Sequence, residues 1–248
     1  MKSRPNAWIT ILNPQPDPRC RLFCLPYAGG GASMFRTWPS QLPAGVELWL
    51  IQLPGREERF REPRFTRVAP LVDALAPLVA AHLDKPFAVF GYSMGGLIGF
   101  ELIRALRRLG APAPQRLFVT ARQAPHLVET RPSLYQMPDD QLFEELDRRY
   151  GGIPSEALKN PEIRSVFVPL LRADIEMIET YQCQPDAPLD CPISVFGGQT
   201  DRITHDELAA WQEHTRHPVS VRLFEGGHFF IQTNQAPLLS AIGHELPA

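Results

Sequence analysis

Residues Gly91-Tyr92-Ser93-Met94-Gly95 carry the chemistry most legible in this chain. They fit G-x-S-x-G, and their surroundings fit the use of that pattern. Pro86-Phe87-Ala88-Val89-Phe90 before them is a short apolar run that reads as a buried strand. Gly96 to Leu109 after them has apolar residues at helical spacing. Strand, sharp turn and helix expose a serine hydroxyl above a sheet edge, and glycines two residues either side let strand and helix approach. Ser93 is therefore expected to be a nucleophile. The duller alternative is a glycine-rich turn with an idle serine.

A serine hydroxyl needs a base to take its proton. The elbow arrangement predicts the chain order serine, acid, histidine, each on a loop after a strand. Of seven histidines, His228 follows a predicted strand and the flexible Glu225-Gly226-Gly227, and precedes Phe229-Phe230. It is the expected base. The acid should hold the imidazole in one tautomer. Asp201, in Phe196-Gly197-Gly198-Gln199-Thr200-Asp201, lies on the right loop. Glu129 is the runner-up, and a helix cap is the duller role for Asp201. Two backbone N–H groups should meet the developing oxyanion. Met94 supplies one. The second comes from Pro26-Tyr27-Ala28-Gly29-Gly30-Gly31, with Ala28 expected and Tyr27 as the alternative.

These residues need a scaffold. Strands are predicted at 21–25, 46–52, 87–92, 116–121, 193–196 and 219–224. Helices are predicted at 33–42, 67–83, 94–109, 206–214 and 237–245, with Ser33 and Asp206 as caps. The alternation argues for an α/β fold with a mostly parallel sheet covered by helices on both faces. It breaks between Ala121 and Pro192, where 137–150 and 162–183 read as amphipathic helices. The expected division is a core of 1–122 and 184–248 and an all-helical lid of 123–183, placed over the strand carboxyl ends where ligands bind in such sheets.

Bulk properties narrow the alternatives. At 248 residues the chain can bury one large core. A formal charge of −2 gives no reason to expect nucleic acid or an anionic membrane. No apolar run approaches the ~20 residues of a membrane span. The first ten residues do not read as a signal peptide. Cys20, Cys24, Cys183 and Cys191 are read as small apolar residues in a reduced cytoplasm. Neither a metal nor a cofactor is expected, and the glycines lack the G-x-G-x-x-G of a dinucleotide site.

With these residues assembled, the chain resembles the type II (editing) thioesterases of polyketide and nonribosomal peptide synthesis, within the α/β-hydrolase superfamily. The related medium-chain thioesterase of fatty acid synthesis is similar too. The matching segments are Leu25–Gly30, Gln52–Glu57, Gly91–Gly96, Leu171–Asp174, Gly197–Asp201 and Gly226–Phe230, in family order over nearly the whole chain. The resemblance places the family's triad on Ser93, Asp201 and His228 and its oxyanion donors on Met94 and Ala28. It implies hydrolysis of acyl groups from the phosphopantetheine arm of an acyl- or peptidyl-carrier protein. Two other readings stay open: a carboxylesterase or lipase on the same fold, and a non-catalytic carrier-binding protein. Arg56, Glu57, Arg59 and Arg61 read equally as surface ion pairs or as carrier docking. Asp174 interrupts an apolar helix stripe, and the sequence names no partner for it.

Overall fold

A computed structural model describes residues 3–128, 131–152 and 160–246. Eight strands form one sheet: β1 (Ser3–Asn6), β2 (Ile9–Ile11), β3 (Cys20–Leu25), β4 (Val46–Ile51), β5 (Phe87–Tyr92), β6 (Leu117–Thr120), β7 (Ile193–Gly198) and β8 (Ser220–Phe224). Their order is β1-β2-β4-β3-β5-β6-β7-β8. β1 and β2 are antiparallel to their neighbours, and all pairs from β4 to β8 are parallel.

Strand alternation divides the core between the two faces. In β5, Phe87 and Val89 join one apolar cluster, while Ala88, Phe90 and Tyr92 join the other. The first face is covered by α1 (Val68–Ala80) and α2 (Met94–Arg108), and the second by Phe35, Trp38 and α6 (Gln235–Glu245). Burial on both faces explains why the central strands read as continuous apolar runs.

Several expectations about elements change. The β1–β2 hairpin was not foreseen. Its strands are only four and three residues long. The helix expected over 33–42 is two 3-10 turns, Ala32–Phe35 and Trp38–Ser40. Pro39 disfavours the α conformation at Trp38 and supplies no N–H, which works against one continuous helix through so short a stretch. Ser33 lies inside the first turn and is not its cap. The helix expected over 206–214 is α5 (His205–Ala209) followed by a 3-10 turn, and its cap is Thr204. Thr204 and Glu207 form a reciprocal capping box, which leaves Asp206 exposed in the first turn.

Within the insertion, α3 (Asp139–Tyr150) and α4 (Pro161–Glu179) are helical as their periodicity predicts. They enclose a small core of their own around Leu134, Leu142, Phe143, Leu146, Val168 and Ile175. The ends of the segment belong to the main core, through Ala124 and Met177. No helix among the described residues is long and apolar enough to cross a membrane.

Candidate active site

β5 ends on Tyr92 and α2 begins on Met94, so Ser93 makes the whole turn. Its backbone has φ 50 and ψ −108, a conformation that L-residues rarely adopt. The turn closes because two glycines permit it. A methyl group on Gly91 would run into the backbone of Gly95 and Gly96, and one on Gly95 into the carbonyl of Leu25 at the end of β3. The Ser93 N–H donates to the Thr120 carbonyl at 2.7 Å, tying the turn to the end of β6.

The loops after β7 and β8 bring the other two residues to Ser93. Ser93 Oγ lies 3.1 Å from His228 Nε2, and His228 Nδ1 lies 2.9 Å from Asp201 Oδ2. A carboxylate only accepts, so Nδ1 carries the proton and Nε2 is left to accept from the serine hydroxyl. The acid and base side chains are 2% and 5% exposed, so water competes little for either hydrogen bond. The Tyr92 hydroxyl donates to the His228 backbone carbonyl. That bond fixes the histidine loop from below, and burial pushes the Tyr92 phenol well above its ordinary range. Tyr92 was not singled out from sequence, because its position in the motif tolerates any residue. Asp201 does not cap the helix that follows. Glu129 lies outside the described residues.

On the opposite side of Ser93, the turn Tyr27–Gly30 is closed by Gly30 N–H to the Tyr27 carbonyl at 2.9 Å. Gly29 has φ 78, the left-handed value a type II turn requires at its third residue. Ala28 N–H has no hydrogen-bond partner among the described residues. Met94 is the first residue of α2, where N–H groups have no partner within the helix.

The charged loop after β4 is folded inward, which corrects the surface reading for two of its residues. Arg56 is 4% exposed and forms a two-pronged pair with Asp174, which is 0% exposed. Arg59 is also buried, donates to the Gln52 carbonyl at 2.8 Å and stacks over Trp8. Asp174 thus has its partner, from a segment 118 residues away in the chain.

A cavity of about 890 Å³ opens above Ser93 and His228. Its far wall is the insertion, through Leu134, Phe143, Leu146, Phe167, Leu171 and Ile175. Such a volume is within the range of small-molecule sites, and its apolar wall suits an acyl chain. Cys20, Cys24 and Cys191 are buried and not poised for chemistry. Burial raises the Cys20 thiol to about 11 and the Cys191 thiol to about 12. All four are free.

Comparison with known proteins identifies the family. Residues 20–246 match the thioesterase domain family. The chain is 38% identical to the gramicidin S biosynthesis protein GrsT of Aneurinibacillus migulanus, over 98% of this chain and 95% of GrsT. It is 34% identical to thioesterase PikA5 of Streptomyces venezuelae, over 96% of this chain and 85% of PikA5. The solved structure of the type II thioesterase BorB, from the borrelidin biosynthetic cluster, superposes with a TM-score of 0.88. That alignment has 31% identity and covers 99% of this chain and 100% of BorB. A hydrogen-bonded serine, histidine and aspartate at the carboxyl edge of a mostly parallel sheet, and similarity over nearly the full length, place the chain in the thioesterase domain family of the α/β hydrolases, as a type II thioesterase.

Proposed function

We propose that this chain hydrolyses acyl thioesters carried on the phosphopantetheine arm of acyl- or peptidyl-carrier proteins, clearing them during polyketide or nonribosomal peptide synthesis. The observation that carries the reading is the continuous relay Ser93 Oγ, His228 Nε2, His228 Nδ1 and Asp201 Oδ2 at the floor of an acyl-sized cavity. Ser93 attacks the thioester carbonyl while its proton passes to His228 Nε2. Asp201 stabilises the imidazolium without taking the proton. Charge on the carbonyl oxygen is met by the N–H groups of Met94 and Ala28. In the Tyr27–Gly30 turn the other amides of the tip are engaged, Gly29 by Asp174 and Gly30 by Tyr27. Those engagements support Ala28 as the donor within the turn, with Tyr27 as the alternative one residue before it. Collapse breaks the C–S bond, and His228 returns its proton to the departing thiolate. Water then attacks the acyl-serine with His228 again as base, releasing a carboxylic acid and restoring Ser93.

We take residues 123–183 as a lid over this cavity, and a reduced cytoplasmic setting as fitting the four free thiols. The test is turnover of carrier proteins loaded with different acyl groups, followed by mass spectrometry of the intact carrier. The expected result is loss of the acyl mass with wild type and none with Ser93→Ala. A kcat/KM higher for p-nitrophenyl esters than for acyl-pantetheine would favour a carboxylesterase instead. Carrier binding without any turnover would favour a binding protein.

A further inference from the structure

We propose that Asp174 and Arg56 are a positioning pair for the oxyanion hole, holding the Tyr27–Gly30 turn so that the Ala28 N–H stays aimed at the reacting carbonyl. The inference rests on the reading of Ala28 as an oxyanion donor. It starts from a carboxylate in the middle of α4, on the insertion, with none of its surface in water. One oxygen, Oδ1, accepts from Arg56 Nη2 at 2.7 Å. The other, Oδ2, accepts from Arg56 Nη1 at 2.8 Å and from the backbone N–H of Gly29 at 2.7 Å. The same Arg56 Nη1 donates to the Gly30 carbonyl at 3.0 Å.

The consequence appears peptide by peptide. The Ala28 N–H shares a plane with the Tyr27 carbonyl, and that carbonyl accepts from Gly30 N–H. The next plane carries the Gly29 N–H, which is held by Asp174. The Gly30 carbonyl, at the far end, is held by Arg56. Every plane from Tyr27 to Gly30 is thereby fixed to its neighbour or to the ion pair. The fit is close. Leu171 of α4 would stand 2.7 Å from a methyl group on Gly29. Gln52 supports the guanidinium side, donating to the Arg56 carbonyl at 3.2 Å and accepting from Ala32 N–H at 3.2 Å.

A simpler role is adhesion: the pair joins α4 to the core and nothing more. Energetics weigh against that as a sufficient account. Desolvating both charges offsets most of their attraction, and apolar residues of similar size often serve stability equally well or better. Oxyanion donors, by contrast, need placement to a fraction of an ångström, and a shift of about 1 Å in a positioning group costs on the order of 10²-fold in rate.

The experiment replaces the pair by the double variant Asp174→Leu/Arg56→Met and compares it with Asp174→Asn/Arg56→Met, whose amide oxygen still accepts from Gly29 N–H. Melting and cooperativity establish folding. The expected result for the apolar double variant is a folded protein with kcat on acyl-pantetheine down roughly 10²–10³-fold, the loss typical of one missing oxyanion donor, and KM little changed. The Ki of an alkyl boronic acid should rise by a similar factor, because its tetrahedral adduct on Ser93 places an oxygen in the same hole. The asparagine version should recover part of both losses. Should the apolar variant fail to fold, Asp174→Asn/Arg56→Met and the single Arg56→Lys are judged alone by the same two readouts. Folded variants whose kcat and boronate affinity both stay within about threefold of wild type, less than half a power of ten in a transition-state interaction, overturn the proposal. Ser93→Ala runs beside them. If it still hydrolyses thioester, the underlying enzymatic reading has failed, and the positioning role with it.

Discussion

Ser93 is held at φ 50 by a turn whose closure depends on what its neighbours lack. The clearest consequence is at Gly95. Its missing methyl group faces the Leu25 carbonyl, a backbone atom of β3 that has no room to retreat. Gly95→Ala is expected to lower unfolding stability by about 1–3 kcal/mol through overpacking, measured as a shift in denaturant midpoint. An unchanged midpoint would mean the elbow has slack the structure does not show. Within the relay, Asp201→Asn is expected to leave stability near wild type but to lower kcat by up to about 10⁴-fold, by presenting the wrong imidazole tautomer to Ser93. His228→Ala should remove ~10²–10⁴-fold or more, since base and nucleophile act as a unit. A dead Glu129→Gln beside a nearly normal Asp201→Asn would place the acid elsewhere. These three residues were legible because each sits in a local signature, Gly-x-Ser-x-Gly, Gly-Gly-Gln-Thr-Asp or Gly-Gly-His. The Asp174–Arg56 pair was not. Spacing within a helix describes one face of one helix, and the partner arrives from a loop that only the tertiary fold brings near.

Among the elements, α4 joins two unlike environments. Pro169 lies inside that helix and removes one i→i−4 hydrogen bond, which favours a bend there. The two halves meet different surroundings. Before Pro169, Val166 is 46% and Phe167 44% exposed. After it, Asp174 is clamped by Arg56 and Met177 enters the main core. The expected outcome in hydrogen–deuterium exchange is fast exchange in Asp139–Tyr150 and 161–168, with protection in 173–179 approaching that of Phe87–Tyr92. Uniform protection along α4 would rule out a lid that opens about Pro169. The aromatic residues then separate in role. Both line the cavity, but Phe143 is 1% exposed within the small core of the insertion and Phe167 is half in solvent. Phe143→Asp should therefore cost several kcal/mol, while Phe167→Asp should change acyl-chain preference with little loss of stability. Sequence periodicity alone treats the two as equivalent, because an apolar position on an amphipathic helix looks the same whether it fills a core or faces a cavity. Long, strongly periodic helices such as α1 and α2 were legible within a few residues. The 3-10 turns and the β1–β2 hairpin were not, because each is too short for its period to register.

For the molecule as a whole, acid should act first where a half-buried histidine packs among rings at the root of the insertion. His214 packs against Phe100 and Trp211, with ring centroids 5.1 and 5.9 Å away. Its Nε2 lies 2.7 Å from His126 Nδ1, and Glu213 and Arg104 are the charged groups that act on it. Burial, reinforced by the His126 and Arg104 charges and opposed by Glu213, lowers its pKa from 6.5 to about 4. In the unfolded chain the imidazole binds a proton near 6.5, so between 6.5 and about 4 the unfolded state holds more protons than the folded one. Stability from this group is complete above the unfolded value and is lost as pH falls through that window. The arginine-paired carboxylates titrate lower: Glu145, hydrogen-bonded to Arg148 and Arg149, is brought down to about 2. Their losses therefore begin below most of the histidine window. His82 is also held below its ordinary value by burial and contributes in the same direction, so wild type alone cannot isolate His214. The decisive comparison is wild type against His214→Gln, with urea midpoints taken at pH 7.5, 6, 5 and 4.5. The variant should be less stable at pH 7.5, where it loses ring packing, and should lose less than wild type on acidification, so that the two curves converge. Parallel curves over that range would show that His214 keeps an ordinary pKa in the folded protein.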